Sequence, residues 1–314
     1  MQGAAALLGL WGLWCLWLAT ASAWGAGPAP LPPVPVVTTS TDLRALVEAV
    51  GGARVRVESL ASPLHDPHAI DVKPGALARL REASLLVRIG LDHEPWLTPL
   101  LRSLGDARFV RGSQHDLDLS KGVALLQTET PRVGGSRAHV HGFGNTHYWL
   151  DPENARPMTA AILEALTRIA PADRGRFSAG RQAFLARLDA GLGRWQETMA
   201  PHRGARVVVV HETWPYFAQR FGLRVVAAIE PVPGVPPSAA SLATLTRRMK
   251  EAGVRVLIAE PSSNPSVVSQ VAARAGARAV TLIPSVGGDP EAQDYLALFD
   301  LNVRRLAEAL AAPR

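Results

Sequence analysis

The sequence predicts an α/β protein of two lobes, each a parallel β-sheet flanked by helices, and three observations carry that expectation. The chain has 314 residues, too many for one core at the usual 100–200 or so residues per domain. Short apolar runs alternate with amphipathic stretches in both the first and last thirds, the pattern of βαβ units. Between them lies a long stretch of purely helical periodicity. With 47% hydrophobic and 19% charged residues, the chain has material for real cores and is neither disordered nor fibrous.

Residues 1–23 form an uncharged apolar run closing on Ala21-Ser22-Ala23, which reads as a signal peptide. The run is short for a membrane span, which needs about 20 apolar residues, but it lacks the Lys or Arg of a signal n-region, so an uncleaved N-terminal anchor stays as the alternative. Cys15, the only cysteine, lies inside it, so a chain trimmed after Ala23 carries no thiol for a disulfide or a thiolate metal site. Trp14 before Cys15 fits poorly the small residue of a lipoprotein signal. No later stretch is apolar enough to cross a bilayer, so the mature chain is expected to be soluble; export on the signal peptide makes the periplasm its expected location, and a monomer is expected. The net charge of +6 comes from scattered arginines without a basic block, which argues against a nucleic-acid partner.

Residues 24–33 read as an extended leader, 34–155 as the first lobe, 156–200 as helices including a linking one, and 201–314 as the second lobe. In the first lobe Val34 to Val37 reads as a buried strand, Ser40-Thr41-Asp42 as caps for a helix to Val50, and Val55 to Leu60 as a strand. A helix near Pro74 to Arg81, a strand from Leu85 to Ile89 and a helix from Glu94 to Leu104 follow. Residues 112–146 lose the rhythm and read as one long loop, a feature that is functional or mobile in compact domains.

From Pro171 onward Phe177, Phe184, Leu188, Leu192, Trp195 and Met199 recur at helical spacing, with Gly191 and Gly193 weakening the case for a straight rod. The second lobe then offers strands at Val207–Val210, Val225–Ile229, Val254–Ala259 and Val280–Ile283. Helices are expected over Ser238–Ala252, over Pro265–Ala275 and after Pro290.

Ligands of open parallel sheets bind beyond the carboxyl ends of strands. His68 follows the Val55 to Leu60 strand, His147 follows the long loop, and His211 directly ends Val207–Val210. Neutral imidazole is a common Zn²⁺ ligand. No two of the three are close in sequence, so the fold has to bring them together. Taken singly, each is as well explained as a structural hydrogen bonder.

Asp66-Pro67-His68 with Lys73-Pro74, His147-Tyr148-Trp149-Leu150-Asp151-Pro152, His211-Glu212-Thr213-Trp214-Pro215-Tyr216-Phe217, Pro231-Val232-Pro233-Gly234 and Glu260-Pro261 occur in that order. On these motifs the sequence resembles the cluster A zinc- and manganese-binding substrate proteins of ABC transporters. The resemblance implies two four-stranded lobes joined by a rigid helix, a metal in the interlobe cleft, and delivery to a membrane permease. It also implies His68 and His147 as ligands from the first lobe and His211 from the second. Histidine at the third position resembles the zinc members, so Zn²⁺ is expected before Mn²⁺.

The fourth ligand departs from the family. Many members carry an aspartate after the last strand, where this chain has Ile283-Pro284-Ser285-Val286-Gly287-Gly288. Glu260 is the first choice, with Asp289 or water as alternatives. His139 and His141 offer a recruiting pair or exposed loop residues, and His93, His115 and His202 are expected at the surface. Trp149, Trp214 and Tyr216 would wall the site.

Other readings are a manganese, iron or chelated-metal carrier of the same fold, or a secreted zinc hydrolase. The metalloprotease motif fails, because Pro215 stands where the second histidine of His-Glu-x-x-His belongs. A non-enzymatic carrier is therefore expected.

Overall fold

The apolar run Val34–Thr38 forms β1, and the Ser40 hydroxyl accepts the Leu43 N–H to start α1 (Thr41–Gly51). These come from a computed structural model that describes residues 31–64, 70, 75–127, 144–230 and 237–313. The signal segment lies outside the described residues. After α1 come β2 (Val55–Ser59), α2 (Gly75–Glu82), β3 (Leu85–Arg88), α3 (Leu97–Leu104) and β4 (Asp116–Asp118). The four strands are parallel, in the order β2-β1-β3-β4.

Two local expectations are corrected here. The stretch 112–146 is not one loop, since β4 lies within it as an edge strand. Its acidic residues fit because the buried guanidinium of Arg88 on β3 pairs with Asp116 at 2.8 Å and Asp118 at 3.1 Å. The helix expected from Glu94 begins at Leu97, because Pro95 disfavours helical geometry at the residue before it.

After α4 (Ala155–Ile169) runs α5 (Arg174–Met199), 26 residues and so about 39 Å long at 1.5 Å per residue. It continues through Gly191 and Gly193. Gly191 leaves room for the Trp195 indole, whose ring a Cβ there would approach to 2.8 Å.

The second lobe contains β5 (Arg206–Val209), α6 (Pro215–Phe221), β6 (Arg224–Ala228), α7 (Ala239–Glu251), β7 (Val256–Ala259), α8 (Pro265–Ala275), β8 (Arg278–Thr281) and α9 (Tyr295–Ala311). Its strands are also parallel, in the order β6-β5-β7-β8. β8 sits two residues before the apolar run that marked it. Leu282, whose N–H still donates to the Ala259 carbonyl at 2.9 Å, and Ile283 are buried just past its end.

Each sheet reverses its strand order at its first strand, β1 or β5, so each has a switch point at that strand's carboxyl end, where ligands of such sheets sit. One buried apolar cluster joins the lobes. It takes Leu43, Leu46 and Val47 from α1, Phe177, Leu188 and Trp195 from α5, Phe217 from α6 and Phe299 from α9. Smaller clusters fill the outer faces, one under α2 and α3 and one under α7 and α8. A shared core of this kind resists wide separation of the two sheets, because each fully buried side chain contributes about 1.5–3 kcal/mol.

Polar bonds reinforce the joint. The Trp149 indole N–H donates to the Pro284 carbonyl at 2.9 Å, and the Tyr295 hydroxyl donates to the Trp149 carbonyl at 2.6 Å. Arg220 on α6 pairs with Asp151 at 2.6 Å. Asp42, fully buried in the first turn of α1, accepts the Val286 N–H at 2.9 Å. Burial pushes its carboxyl up to about 7, against the opposing pull of the Val286 N–H.

Two predictions follow from this packing. Where α5 crosses α1, a Cβ on Gly180 would stand 2.5 Å from the Val50 carbonyl oxygen. Gly180→Ala gains about 1 kcal/mol of helix propensity but forces two backbones apart at a cost of about 1–3 kcal/mol, so net destabilisation is expected in chemical denaturation. For Asp42 the folded value lies above the unfolded one, so its contribution is full below about 3.8 and is lost as pH rises through about 7. Asp42→Asn therefore raises the thermal midpoint relative to wild type at about pH 8, and that gain shrinks toward about pH 4.

Candidate metal centre

His211 lies two residues beyond the end of β5, and backbone bonds fix what stands beside it. Val210 N–H donates to Ile258 O at 3.0 Å, Ile229 N–H to Val209 O at 3.0 Å and Glu230 N–H to Val210 O at 2.9 Å. In the sheet register Val209 pairs with Ala228 on one side and Ile258 on the other. Two residues further along, the same register sets His211 in a row between Glu230 and Glu260, on strands about 4.8 Å apart.

The two carboxylates turn different ways. Oε1 of Glu260, a buried residue, accepts the indole N–H of the fully buried Trp214 at 3.1 Å, and the Glu260 N–H donates to Ser263 Oγ at 2.9 Å. Oε2 of Glu230 faces His211 Nε2 at 3.7 Å, with both side chains mostly shielded from solvent. That separation is too long for a hydrogen bond, and His211 Nδ1 is buried with no hydrogen-bond partner among the described residues. An imidazole with neither nitrogen hydrogen-bonded costs about 1–3 kcal/mol for a buried polar group, and a cation relieves that cost.

His147 comes from the first-lobe side, on the residues that lead into α4. Its N–H donates to Asn145 Oδ1 at 2.9 Å, and its Nδ1 lies 3.1 Å from the same oxygen. Because that oxygen is an acceptor, Nδ1 carries the proton and Nε2 carries the lone pair. Metal-binding histidines are oriented in this way by a partner on the other ring nitrogen.

The Asn145 amide in turn donates to Gln127 Oε1 at 2.9 Å and to the Glu212 carbonyl at 2.8 Å. Tyr216 Oη donates to the Asn145 carbonyl at 2.7 Å and accepts the Leu126 N–H at 3.0 Å. The residue that orients His147 is therefore bonded to the residue that follows His211. Trp149, Trp214 and Tyr216, expected as walls, are all buried.

His93 corrects the expectation of a surface residue. It is fully buried, with Nδ1 2.7 Å from Thr146 Oγ1 and its ring edge-on to His147 and Trp149 at centroid distances of 5.4 and 5.2 Å. Glu94 beside it accepts the N–H groups of Ile89 at 2.7 Å and Gly90 at 3.1 Å and the Thr39 hydroxyl at 2.6 Å. Burial raises the Glu94 carboxyl to about 7 despite those bonds and the Arg88 charge.

Asp289 is held in the turn before α9 by the Glu291 N–H at 2.9 Å and Arg305 at 2.8 Å. Those two contacts hold its carboxyl below the usual range. His68, His65, His139 and His141 lie outside the described residues. Among the described residues no three of His, Cys, Asp and Glu form a group able to hold a metal ion.

The structure thus ties the His147 and His211 segments together and places Glu260 and Glu230 on either side of His211. The sequence reading missed Glu230 and the role of Asn145. Glu230 could have been found by the rule that found His211, since it directly follows the apolar run ending at Ile229.

Residues 36–309 match the family model described as ZnuA, zinc-uptake complex component A periplasmic. The high-affinity zinc uptake system protein ZnuA of Paracoccus denitrificans is 27% identical over 302 residues, covering 88% of this chain and 92% of that protein. The protein of the same description from Yersinia pestis is 24% identical over 266 residues, covering 81% and 83%. A crystal structure of a 138–173 deletion mutant of ZnuA with zinc bound is similar at a TM-score of 0.75 and 26% identity, covering 90% of this chain and all of that one.

Proposed function

Because this chain belongs to the family of periplasmic zinc-uptake components, we propose that it is the zinc-capturing, substrate-binding protein of an ABC importer and passes its cargo to a membrane permease. The ion is held by His68 and His147 from the first lobe and His211 from the second. A carboxylate at the strand ends of the second sheet completes the shell, with Glu260 the one read from the sequence. The chain works in the periplasm as a monomer, after export on residues 1–23.

One observation carries the reading. Asn145 fixes the proton of His147 on Nδ1 and bonds to the Glu212 carbonyl, so a lone-pair nitrogen of one lobe is aligned by a contact with the other. Zn²⁺ is the cargo rather than a resident cofactor, and the chemistry of the donors fits it. Imidazole nitrogens suit Zn²⁺, whereas Mn²⁺ prefers a shell richer in oxygen. His211, buried at Nδ1 and without a hydrogen bond on either nitrogen among the described residues, is a donor that a cation would satisfy.

The shared core between the sheets limits how a bound ion leaves. Release at the permease proceeds by displacement of the segments carrying the ligands rather than by a wide swing of the lobes.

Zinc affinity, measured by competition with a chromophoric chelator, tests the proposal. His68→Ala, His147→Ala and His211→Ala should each weaken binding by more than the about 10–100-fold that losing an outer hydrogen-bonding partner costs. Asn145→Ala should fall within that about 10–100-fold range. Wild-type affinity in His147→Ala or His211→Ala would refute the assignment.

A further inference from the structure

We infer that Glu230, at the end of β6, is a direct ligand of the captured ion alongside His211, and supplies the carboxylate that the stretch after β8 lacks. This rests on the zinc-capture reading above and deepens it.

The geometry between the two side chains is that of neighbouring ligands rather than of a hydrogen bond. Two donors about 2.0–2.2 Å from a tetrahedral zinc stand about 3.3–3.5 Å apart. Nε2 of His211 and Oε2 of Glu230 stand 3.7 Å apart, so an ion seated between them draws them together by only a few tenths of an ångström. Backbone bonds hold both residues at this distance. Glu230 N–H bonds to Val210 O, and the β5–β6 register resumes after an irregularity at Val207/Val208.

Charge supports the same assignment. The Glu230 carboxylate is mostly shielded from solvent, and no Lys or Arg among the described residues pairs with it. A shielded carboxylate without a cation is costly, and its one ionic neighbour among the described residues is an imidazole that is neutral unless protonated. A divalent cation removes that cost for both groups at once.

Glu260, on the opposite side of His211, is placed differently, because its Oε1 already accepts the Trp214 indole. The sequence explains why such a substitute is needed. Ile283 and Pro284 follow β8 without an oxygen-bearing side chain, so a carboxylate from β6 restores the oxygen donor from a different strand. The effect reaches selectivity, because an oxygen donor favours the harder ion Mn²⁺ more than imidazole does.

The test uses the full chain with Glu230→Gln, which keeps shape and removes charge, and Glu260→Gln as comparator. Far-ultraviolet circular dichroism and the metal-free unfolding midpoint confirm that each variant folds. Zinc and manganese affinities are measured by competition titration, and the visible spectrum of the Co²⁺ form reports the donor set directly.

Glu230→Gln should weaken Zn²⁺ by about 100-fold, weaken Mn²⁺ by more, and shift the Co²⁺ bands, while Glu260→Gln shows the smaller loss of about 10-fold expected of an outer hydrogen-bonding partner and leaves the Co²⁺ bands in place. An unchanged Co²⁺ spectrum in Glu230→Gln with affinity within about threefold would overturn the inference, as would a loss confined to Glu260→Gln. If wild type itself fails to bind zinc, the capture reading falls, and this inference falls with it.

Discussion

Two sheets that share one apolar core cannot drift apart, and this constraint gives the strand ends their meaning. Phe177, Leu188 and Trp195 on α5 pack with Leu43, Leu46 and Val47 of α1 and Phe299 of α9. Gly180 marks how near α5 and α1 come, since even a Cβ is excluded there by the Val50 carbonyl. With that spacing set, short polar links suffice to align the two halves of the site. Trp149 to Pro284, Tyr295 to Trp149 and Asp42 to Val286 lock the joint, and Asn145 to Glu212 carries the alignment to the histidines.

The proposed site has the chemistry of a carrier. In it, His147 and His211 would serve as nitrogen donors, the first oriented by its bond to Asn145 and the second by strand register. Pre-set donors lower the entropy lost on capturing an ion. Under the proposed function, the same rigidity would leave release to local displacement of the segments that carry His147 and His211. This division between a stiff body and ligands on strand ends and loops is the general economy of binding sites on α/β scaffolds.

Much of the fold was legible because its buried strands are continuous apolar runs, as parallel sheets covered on both faces require. β3 and β7 stood out on that ground, and the start of α1 announced itself by its cap at Ser40. β4 was hidden because Asp116 and Asp118 look like loop residues until Arg88 is known to lie beside them. α6 was hidden because Trp214-Pro215-Tyr216 reads as part of a ligand motif rather than as the first turn of a helix. At the candidate site, His147 and His211 were expected as donors because they are polar residues at loop and strand ends, and the structure describes both. Glu230 was not weighed because attention went to the family's aspartate position after β8. His93 was misplaced because burial of a lone histidine depends on partners distant in sequence, here Thr146 and Trp149.

The central claim is that His147 and His211 meet one Zn²⁺ across the joint between the lobes. An anomalous difference map at the zinc edge, from crystals of the zinc-loaded chain, tests it most directly. The account predicts a single strong peak about 2.0–2.1 Å from a ring nitrogen of each of these two histidines. A peak bound to only one of them, or density confined to surface histidines, would contradict it.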